Sequence, residues 1–95
     1  MIEITREKNK IVFHGHTEPA VCAACSSIMY TTVNFIYKYN KKSIGFIDDK
    51  LLDKVIIIIN EHDNIIDIAI NNMIDMLECL RDDGNITKIK IKNID

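Results

Sequence analysis

Two histidines and two cysteines lie close together in the segment FHGHTEPAVCAACSS, which spans residues 13–27. Imidazole nitrogens and thiols bind metal ions, and a cysteine beside a histidine can act as a nucleophile activated by a base. Free cysteines are also common as ordinary core residues. The segment therefore allows three interpretations: a metal site, a catalytic pair, or side chains with only a structural role.

A metal site would use His14, His16, Cys22 and Cys25 as its four ligands. Histidines two residues apart share one face of a strand, and cysteines three residues apart lie on one side of a helix. Nitrogen and sulfur ligands suit tetrahedral zinc. The two cysteines, however, lie in the apolar run VCAACSS rather than in a glycine-rich knuckle. A small zinc-binding module is therefore kept as the second alternative function.

A structural role is the simplest interpretation of the other candidate side chains. Cys25 and Cys79 both fall in helical patterns. Because free cysteine is among the most buried residue types, we expect both thiols to lie in the core. His62 belongs to the polar segment NEHD and is expected in a solvated turn. For Cys22 this interpretation is weaker, because the residue lies close to the start of a helix.

The catalytic interpretation depends on the positions of His16 and Cys22. His16 ends a predicted strand, and Cys22 lies in the first or second turn of a helix that begins near Pro19, a residue suited to an early helical position. Unpaired N–H groups and the helix dipole at that end favour a thiolate and can stabilise an oxyanion. The residues alone leave the catalytic and the structural interpretation of Cys22 both open.

The predicted strands come from alternating or β-branched segments. MIEIT and IVFHG alternate on either side of a charged turn and predict a hairpin. IGFID is a further short strand, and KVIIIIN is expected inside the sheet because it is apolar on both faces. The last strand, ITKIKIK, alternates apolar residues with lysines, which is typical of an antiparallel strand solvated on one face.

Helical spacing of apolar residues predicts two helices, over about residues 20–39 and 63–82. Asp63 is expected to cap the second helix and Gly84 to end it. The expected buried positions are Val21, Ala24, Cys25, Ile28, Met29, Thr32, Phe35, Ile36 and Tyr39 in the first helix, and Ile66, Ala69, Ile70, Met73, Ile74, Leu77 and Leu80 in the second.

The order β-β-α-β-β-α-β predicts an α+β fold. We expect a two-layer sandwich in which both helices cover one face of an antiparallel-type or mixed sheet. A chain of 95 residues is expected to form a single domain, over residues 1–95.

Composition excludes several classes of function. Hydrophobic residues make up 47% and charged residues 27%, which is typical of a globular domain, and the net charge of −2 offers no basic patch for nucleic acid. No apolar run approaches the roughly 20 residues that span a bilayer, and MIEITREKNK is not a signal peptide. An odd count of 3 cysteines is typical of a reducing compartment. We therefore expect a cytoplasmic protein that binds neither membrane nor nucleic acid directly.

The residues around His16 and Cys22 resemble the ribosomal-processing cysteine protease family, Prp. In that family a strand ends in Gly-His, and after a loop the segment Val-Cys-Ala-Ala-x-Ser begins the first helix. The positions that match this pattern are Gly15, His16, Val21, Cys22, Ala23, Ala24 and Ser26. Chain length and element order are similar to the family over the whole sequence.

The resemblance implies a small α+β cysteine protease, usually a homodimer, that removes a short N-terminal extension from a large-subunit ribosomal protein precursor. By position, Cys22 would be the nucleophile and His16 the general base, with no cofactor and no metal. Cys25 occupies the variable position of the motif, and His14 has no counterpart in it. We expect the isoleucine-rich second helix and its neighbouring strand to form the dimer surface.

The segment between His16 and Cys22 departs from the family. Its members usually have a longer, glycine-containing loop that ends in an Asp-hydrophobic pair, whereas this chain has only TEPAV. Pro19 stiffens that segment, and Glu18 is the only acid left in it that could orient His16. The short loop predicts weak activity. The first alternative function is therefore a catalytically weak or inactive Prp-like domain that binds a protein partner.

Overall fold

Strands and helices follow one another in the order expected from the sequence. The computed structural model describes residues 1–94. Its elements are β1 (Ile2–Arg6), β2 (Lys10–Gly15), α1 (Pro19–Tyr39), a 3₁₀ turn (Lys41–Ser43), β3 (Ile44–Asp49), β4 (Lys54–Ile59), α2 (Asn64–Asp82) and β5 (Ile89–Asn93). The predicted α+β fold is confirmed.

The strands of residues 1–94 form one mixed sheet, in the order β3-β4-β2-β1-β5. The β1–β2, β2–β4 and β3–β4 pairs are antiparallel, whereas β5 lies parallel to β1. The expectation of an antiparallel last strand is therefore wrong. The physical reason is that α2 returns the chain to the end of the sheet where β4 began, so β5 runs parallel to β4, and β4 already runs parallel to β1.

Both helices pack on one face of the sheet, and that layer contains the core. Side chains alternate along each strand, so Ile4, Ile11 and Ile57 are completely buried under the helices, while Val12 and Ile56 lie half-buried on the opposite face. β4 lies inside the sheet between β3 and β2, as its apolar composition predicted. The apolar side chains on this face of the sheet form a continuous surface against which α1 packs.

In α2 five of the seven predicted stripe residues are buried, whereas in α1 only four of the nine are. The buried residues are Val21, Cys25, Met29, Val33 and Ile36 in α1, and Ile66, Ile70, Met73, Ile74 and Leu77 in α2. At the start of α2 the Oδ1 of Asp63 accepts a hydrogen bond from the Ile66 N–H at 2.9 Å, which confirms the predicted cap. Gly84 follows the helix end with φ of 81°, the left-handed conformation that glycine tolerates.

Phe35 and Tyr39 are exposed, although helical spacing placed them in the buried stripe of α1. Their rings stack with centroids 6.5 Å apart, and the Tyr39 hydroxyl donates to Asp63 at 2.7 Å. Val33 is buried instead, because it lies four residues after Met29 on the face that contacts the sheet. Apolar residues occupy two neighbouring faces of α1 here, and only packing selects between them.

By length and composition alone, α1 is apolar enough to cross a membrane, which corrects the expectation that no segment approaches that length. Core helices of globular domains pass the same test. In this fold α1 packs its buried stripe against the sheet and against α2.

Candidate active site

The site is built where β2 ends and the chain turns towards α1. Gly15, the last residue of β2, has φ of 99°, and a Cβ at this position would lie 2.3 Å from the carbonyl oxygen of Met1. Only glycine fits such a position, for reasons of both backbone conformation and space. This turn directs His16 away from the strand, and the carbonyl of His16 accepts a hydrogen bond from the Met1 ammonium at 2.6 Å.

The short segment after His16 folds back onto the first turn of α1. The helix begins at Pro19, and the Cys22 N–H donates to the Glu18 carbonyl at 2.9 Å, the first such bond of the helix. The Cys22 Sγ lies 3.3 Å from the Thr17 backbone nitrogen and 3.4 Å from the Thr17 carbonyl oxygen. The residue next to His16 therefore contacts the Cys22 sulfur, despite the shortened loop.

His16 has a carboxylate partner that the sequence did not indicate. The Nε2 of its ring lies 2.7 Å from the Oδ2 of Asp53, with side chains 77% and 41% exposed. Asp53 lies in the turn between β3 and β4, and β4 pairs with β2 so that Lys54 lies opposite His14. Asp53 is far from His16 along the chain, so only the pairing of β4 with β2 indicates that the two residues lie close together.

Glu18, the only acid between His16 and Cys22, forms an ion pair elsewhere. Its Oε1 lies 2.7 Å from the Lys88 Nζ, in the segment before β5. This ion pair joins the start of α1 to the far end of the chain. Because both side chains are partly exposed, we expect it to contribute little to stability.

His16 and Cys22 line one cavity of about 250 Å³. Its walls come from the end of β2, the first turns of α1 and the β3–β4 turn. The lining side chains that carry charge or a nucleophile are His16, Cys22, Cys25, Ser26, Asp48, Asp49, Lys50, Asp53 and Lys54. Within residues 1–94 the imidazole lies 2.7 Å from the Asp53 carboxylate, and the polar contacts of the thiol are with the Thr17 backbone. Hydrogen bonds between catalytic groups often tighten only when a substrate is bound.

The other two cysteines differ from each other in environment. Cys25 is 3% exposed, as predicted for a core thiol, and burial raises its pKa to about 11, with the neighbouring Cys22 adding to the effect. Cys79 is exposed, so the expectation that it belongs to the core is wrong. Its helix buries Leu77 and half-buries Leu80 towards the core, which turns the intervening Cys79 to the solvent side.

The four ligands of the hypothetical zinc site do not come together. Phe13 and His14 alternate on β2, so His14 lies on the open face of the sheet while the cavity lies on the helix side. Cys25 is buried in the core. In the described part of the chain, residues 1–94, no group of three histidine, cysteine or acidic side chains is placed to hold a metal ion.

His62 lies in the loop between β4 and α2, where the sequence predicted a solvated turn. Its ring bridges two segments, with Nδ1 2.7 Å from Asp67 Oδ1 and Nε2 2.8 Å from Asn9 Oδ1. The contact fixes the β1–β2 turn against the start of α2. It lies outside the His16–Cys22 cavity and plays no part in that site.

No protein-family model matches this sequence, and no curated protein matches it. Solved structures match over nearly the whole chain. The essential ribosomal processing protease Prp from S. aureus, in complex with a covalently linked product peptide, has a TM-score of 0.82 at 17% identity, covering 98% of this chain and 97% of that one.

Two further structures have the same fold. The same S. aureus protease in complex with a substrate peptide gives a TM-score of 0.81 at 16% identity, again over 98% of this chain and 97% of that one. SMU.848 from Streptococcus mutans gives 0.70 at 16% identity, over 98% of this chain and 93% of that one. The chain therefore has a Prp-like fold, as the resemblance of GHT and VCAACS predicted.

Proposed function

We propose that this chain is a cysteine peptidase of the Prp family, with Cys22 as the nucleophile and His16 as the general base. The observation that carries the proposal is the shared cavity of these two side chains at the strand-to-helix junction of a Prp-like fold. Structural neighbours of this fold are described in complex with a substrate peptide and with a covalently linked product peptide. The peptide substrate is the part of the proposal that these neighbours support most directly.

In the proposed reaction, His16 takes the proton of the Cys22 thiol, and the thiolate attacks the carbonyl carbon of the scissile peptide bond. The resulting imidazolium gives that proton to the leaving amine, which leaves an acyl group on sulfur as a thioester. Water deprotonated by the imidazole then hydrolyses the thioester, which releases the carboxylate product and restores the thiol.

The start of α1 supplies donors for the oxyanion of this reaction. Pro19 has no N–H, and the Cys22 N–H is already bonded to the Glu18 carbonyl. The N–H groups of Ala20 and Val21 precede that first bond, and such groups at a helix start have no acceptor within the helix. We propose that these two N–H groups donate hydrogen bonds to the carbonyl oxygen as it becomes negatively charged.

The substrate that best fits this proposal is the precursor of a large-subunit ribosomal protein with a short N-terminal extension. The neighbouring S. aureus protein is described as a ribosomal processing protease, and this supports the assignment. Such a precursor is made in the cytoplasm, which we propose as the location of the chain.

A homodimer is the oligomeric state we propose. An apolar groove of about 440 Å³ lies between α1 and α2, with Phe35, Ile65 and Ile68 among its lining residues. These side chains are 51%, 43% and 65% exposed, which is unusual for neighbouring large apolar residues. The α2 side of this groove is the surface that we assign to the second copy.

The alternative function is a catalytically weak or inactive Prp-like domain that binds a protein partner. Its supporting observation is that the His16 ring contacts the Asp53 carboxylate at 2.7 Å, whereas the Cys22 sulfur contacts the Thr17 backbone. In this case the cavity would still receive a peptide, but no thioester would form.

Cleavage of synthetic peptides tests the two functions against each other. The peptides carry the N-terminal sequences of the host's large-subunit ribosomal proteins, and mass spectrometry detects cleavage and any acylated enzyme. We expect the wild-type chain to cleave one of them, Cys22→Ser to be inactive, and His16→Ala to be slower by roughly 10²- to 10⁴-fold. Binding of a peptide without cleavage, unchanged in Cys22→Ser, would instead support the partner-binding domain.

A further inference from the structure

The β3–β4 turn has an ordered structure that ends in Asp53. The Oδ1 of Asp49 accepts hydrogen bonds from the N–H groups of Leu51 and Leu52, both at 3.1 Å. Asp53 itself has φ of 54°, and it is the residue other than glycine with a positive φ within residues 1–94. This left-handed conformation is unfavourable for a residue with a Cβ, although aspartate tolerates it better than most.

Two contacts join Asp53 to the end of β2. Its carbonyl accepts a hydrogen bond from the Gly15 N–H at 3.2 Å, and its carboxylate lies 2.7 Å from the His16 Nε2. One residue therefore holds both the backbone before His16 and the imidazole itself. Unfavourable backbone conformations that persist are typical of functional sites, where surrounding contacts over-determine them.

The ring nitrogen that contacts Asp53 defines what the other nitrogen can do. A carboxylate oxygen 2.7 Å from Nε2 favours the ring proton on that nitrogen, which leaves the lone pair of the neutral ring on Nδ1. Nδ1 is then the atom that can accept the thiol proton. Once the ring is an imidazolium, Asp53 faces a full positive charge and stabilises it, while remaining a carboxylate.

We propose that Asp53 is the positioning residue of this site, the acid that holds and orients the general base His16. This inference rests on the proposed function of His16 and Cys22. Asp53 approaches His16 from a turn that is distant in sequence, whereas Glu18 is the only acid in the segment between His16 and Cys22. Glu18 is instead paired with Lys88. The proton moves from the Cys22 Sγ to the His16 Nδ1, and Asp53 neither gains nor loses one.

Alkylation kinetics of Cys22 test this inference without requiring a peptide substrate. Cys79→Ser serves as the background, because Cys79 is exposed and would also react. Rates of reaction with iodoacetamide are measured from about pH 5 to about pH 9, a range that includes the ordinary pKa values of histidine and cysteine side chains. Asp53→Gly removes the carboxylate and tolerates the left-handed backbone, and Asp53→Asn keeps the side-chain shape. Asp75→Asn is the matched control, because Asp75 is an exposed aspartate of α2 that does not line this cavity.

We expect Asp53→Gly and Asp53→Asn to lower the neutral-pH rate by roughly tenfold and to move the acid limb of the profile to higher pH, since the imidazolium beside the thiolate is less stabilised. Asp75→Asn should change the rate by less than about twofold. Because the effect acts through His16, Asp53→Gly in a His16→Ala background should add less than about twofold. Thermal melting tests whether each variant is folded. If Asp53→Gly is unfolded, Asp53→Asn is the variant compared with the wild-type chain.

The outcomes separate this inference from the proposed function. If His16→Ala slows alkylation but both Asp53 variants behave like Asp75→Asn, Asp53 does not position His16 and only this inference fails. An additive effect of Asp53→Gly and His16→Ala would also overturn it, because Asp53 would then act independently of the imidazole. If His16→Ala leaves the rate unchanged, His16 is not the base of Cys22, and the proposed function fails together with the inference.

Discussion

The backbone N–H of Thr17 points at the Sγ of Cys22 across 3.3 Å, while the Thr17 carbonyl lies 3.4 Å from the same sulfur. The protonated thiol can donate to the carbonyl, and the thiolate can accept from the N–H. One residue of the shortened loop therefore has a partner for each protonation state of Cys22. The short segment between His16 and Cys22 therefore brings its first residue into contact with the sulfur.

The first prediction is that Cys22 is alkylated faster than Cys25 near neutral pH. Cys22 is partly exposed and has the Thr17 N–H beside its sulfur, whereas Cys25 is buried and its pKa is raised to about 11. Mass spectrometry after brief iodoacetamide treatment, in a Cys79→Ser background, measures both rates in one sample. His16→Ala should slow the labelling of Cys22 and leave that of Cys25 unchanged.

Cys79 is replaced in this experiment because it is exposed, so iodoacetamide would label it whether or not a neighbouring base activates the thiol. In the unsubstituted chain we expect Cys79 to react as an ordinary surface thiol. Equal rates for Cys22 and Cys25 in the folded protein, unaffected by His16→Ala, would mean that Cys22 is an ordinary thiol.

The second prediction concerns Gly15→Ala. The new Cβ would meet the Met1 carbonyl oxygen at 2.3 Å, and the φ of 99° is unfavourable for alanine. We expect a loss of more than about 2 kcal/mol in the free energy of unfolding, together with slower alkylation of Cys22, because the turn that places His16 is displaced. Urea denaturation and the labelling assay measure the two effects.

Gly84→Ala is the matched control for that substitution. Gly84 has φ of 81°, but a Cβ there meets no atom within 4 Å. It should therefore show only the backbone cost, about 1–2 kcal/mol, with unchanged labelling. If the two variants lost equal stability and both labelled normally, the close approach of Met1 to Gly15 would have no energetic importance.

The third prediction is that stability falls between about pH 9 and pH 11. The pKa of Cys25 rises from an ordinary value of 9.0 to about 11 in the folded protein, chiefly through burial. Below pH 9 the thiol is protonated in both states and adds no pH dependence. Above it the unfolded thiol ionises first, so the unfolded state is favoured progressively until the folded thiol also ionises.

Urea denaturation at a series of alkaline pH values measures this effect, with Cys25→Ala as the control. That variant is less stable at neutral pH, because it removes buried volume, but it should lose less further stability on going to pH 11. Parallel alkaline profiles for the two proteins would contradict the assignment of the effect to Cys25.

The fourth prediction is that Ile68→Asp weakens self-association. Ile68 is 65% exposed beside the apolar groove between α1 and α2, so a charge there opposes burial against a second copy. Light scattering at micromolar concentration should give the mass of a dimer for the wild-type chain and a lower mass for Ile68→Asp. Ile86→Asp is the control, since Ile86 is 71% exposed and does not line that groove. A monomer mass for the wild-type chain would contradict the dimer itself.

Much of the fold was predictable because it depends on local patterns. The spacing of Ile66, Ile70 and Met73 marks the buried stripe of α2, and Asp63 and Gly84 mark its ends. The junction of Gly15 and His16 with the start of α1 was equally visible, since it depends on adjacent residues. These features arise within one or two turns of chain, where backbone geometry and side-chain period determine the outcome.

Tertiary structure alone decided which partners those elements meet. Whether β5 runs parallel or antiparallel depends on the crossover through α2, and its alternating lysines fit both arrangements. Phe35 and Val33 are both apolar residues of α1, and the position of the sheet determines that Val33 is buried and Phe35 exposed. Cys79 likewise faces solvent because α2 is rotated about its axis so that Cys79 lies on the side away from the sheet.

The candidate site divides in the same way. The sequence by itself determined that His16 and Cys22 flank a strand-to-helix junction, because their separation is short and Pro19 marks the helix start. Only the pairing of β4 with β2 brings Asp53 to His16, and only the return of the chain to β5 draws Glu18 to Lys88. Residues that are distant along the chain become neighbours through strand pairing, and periodicity, which is a local property, carries no information about that pairing.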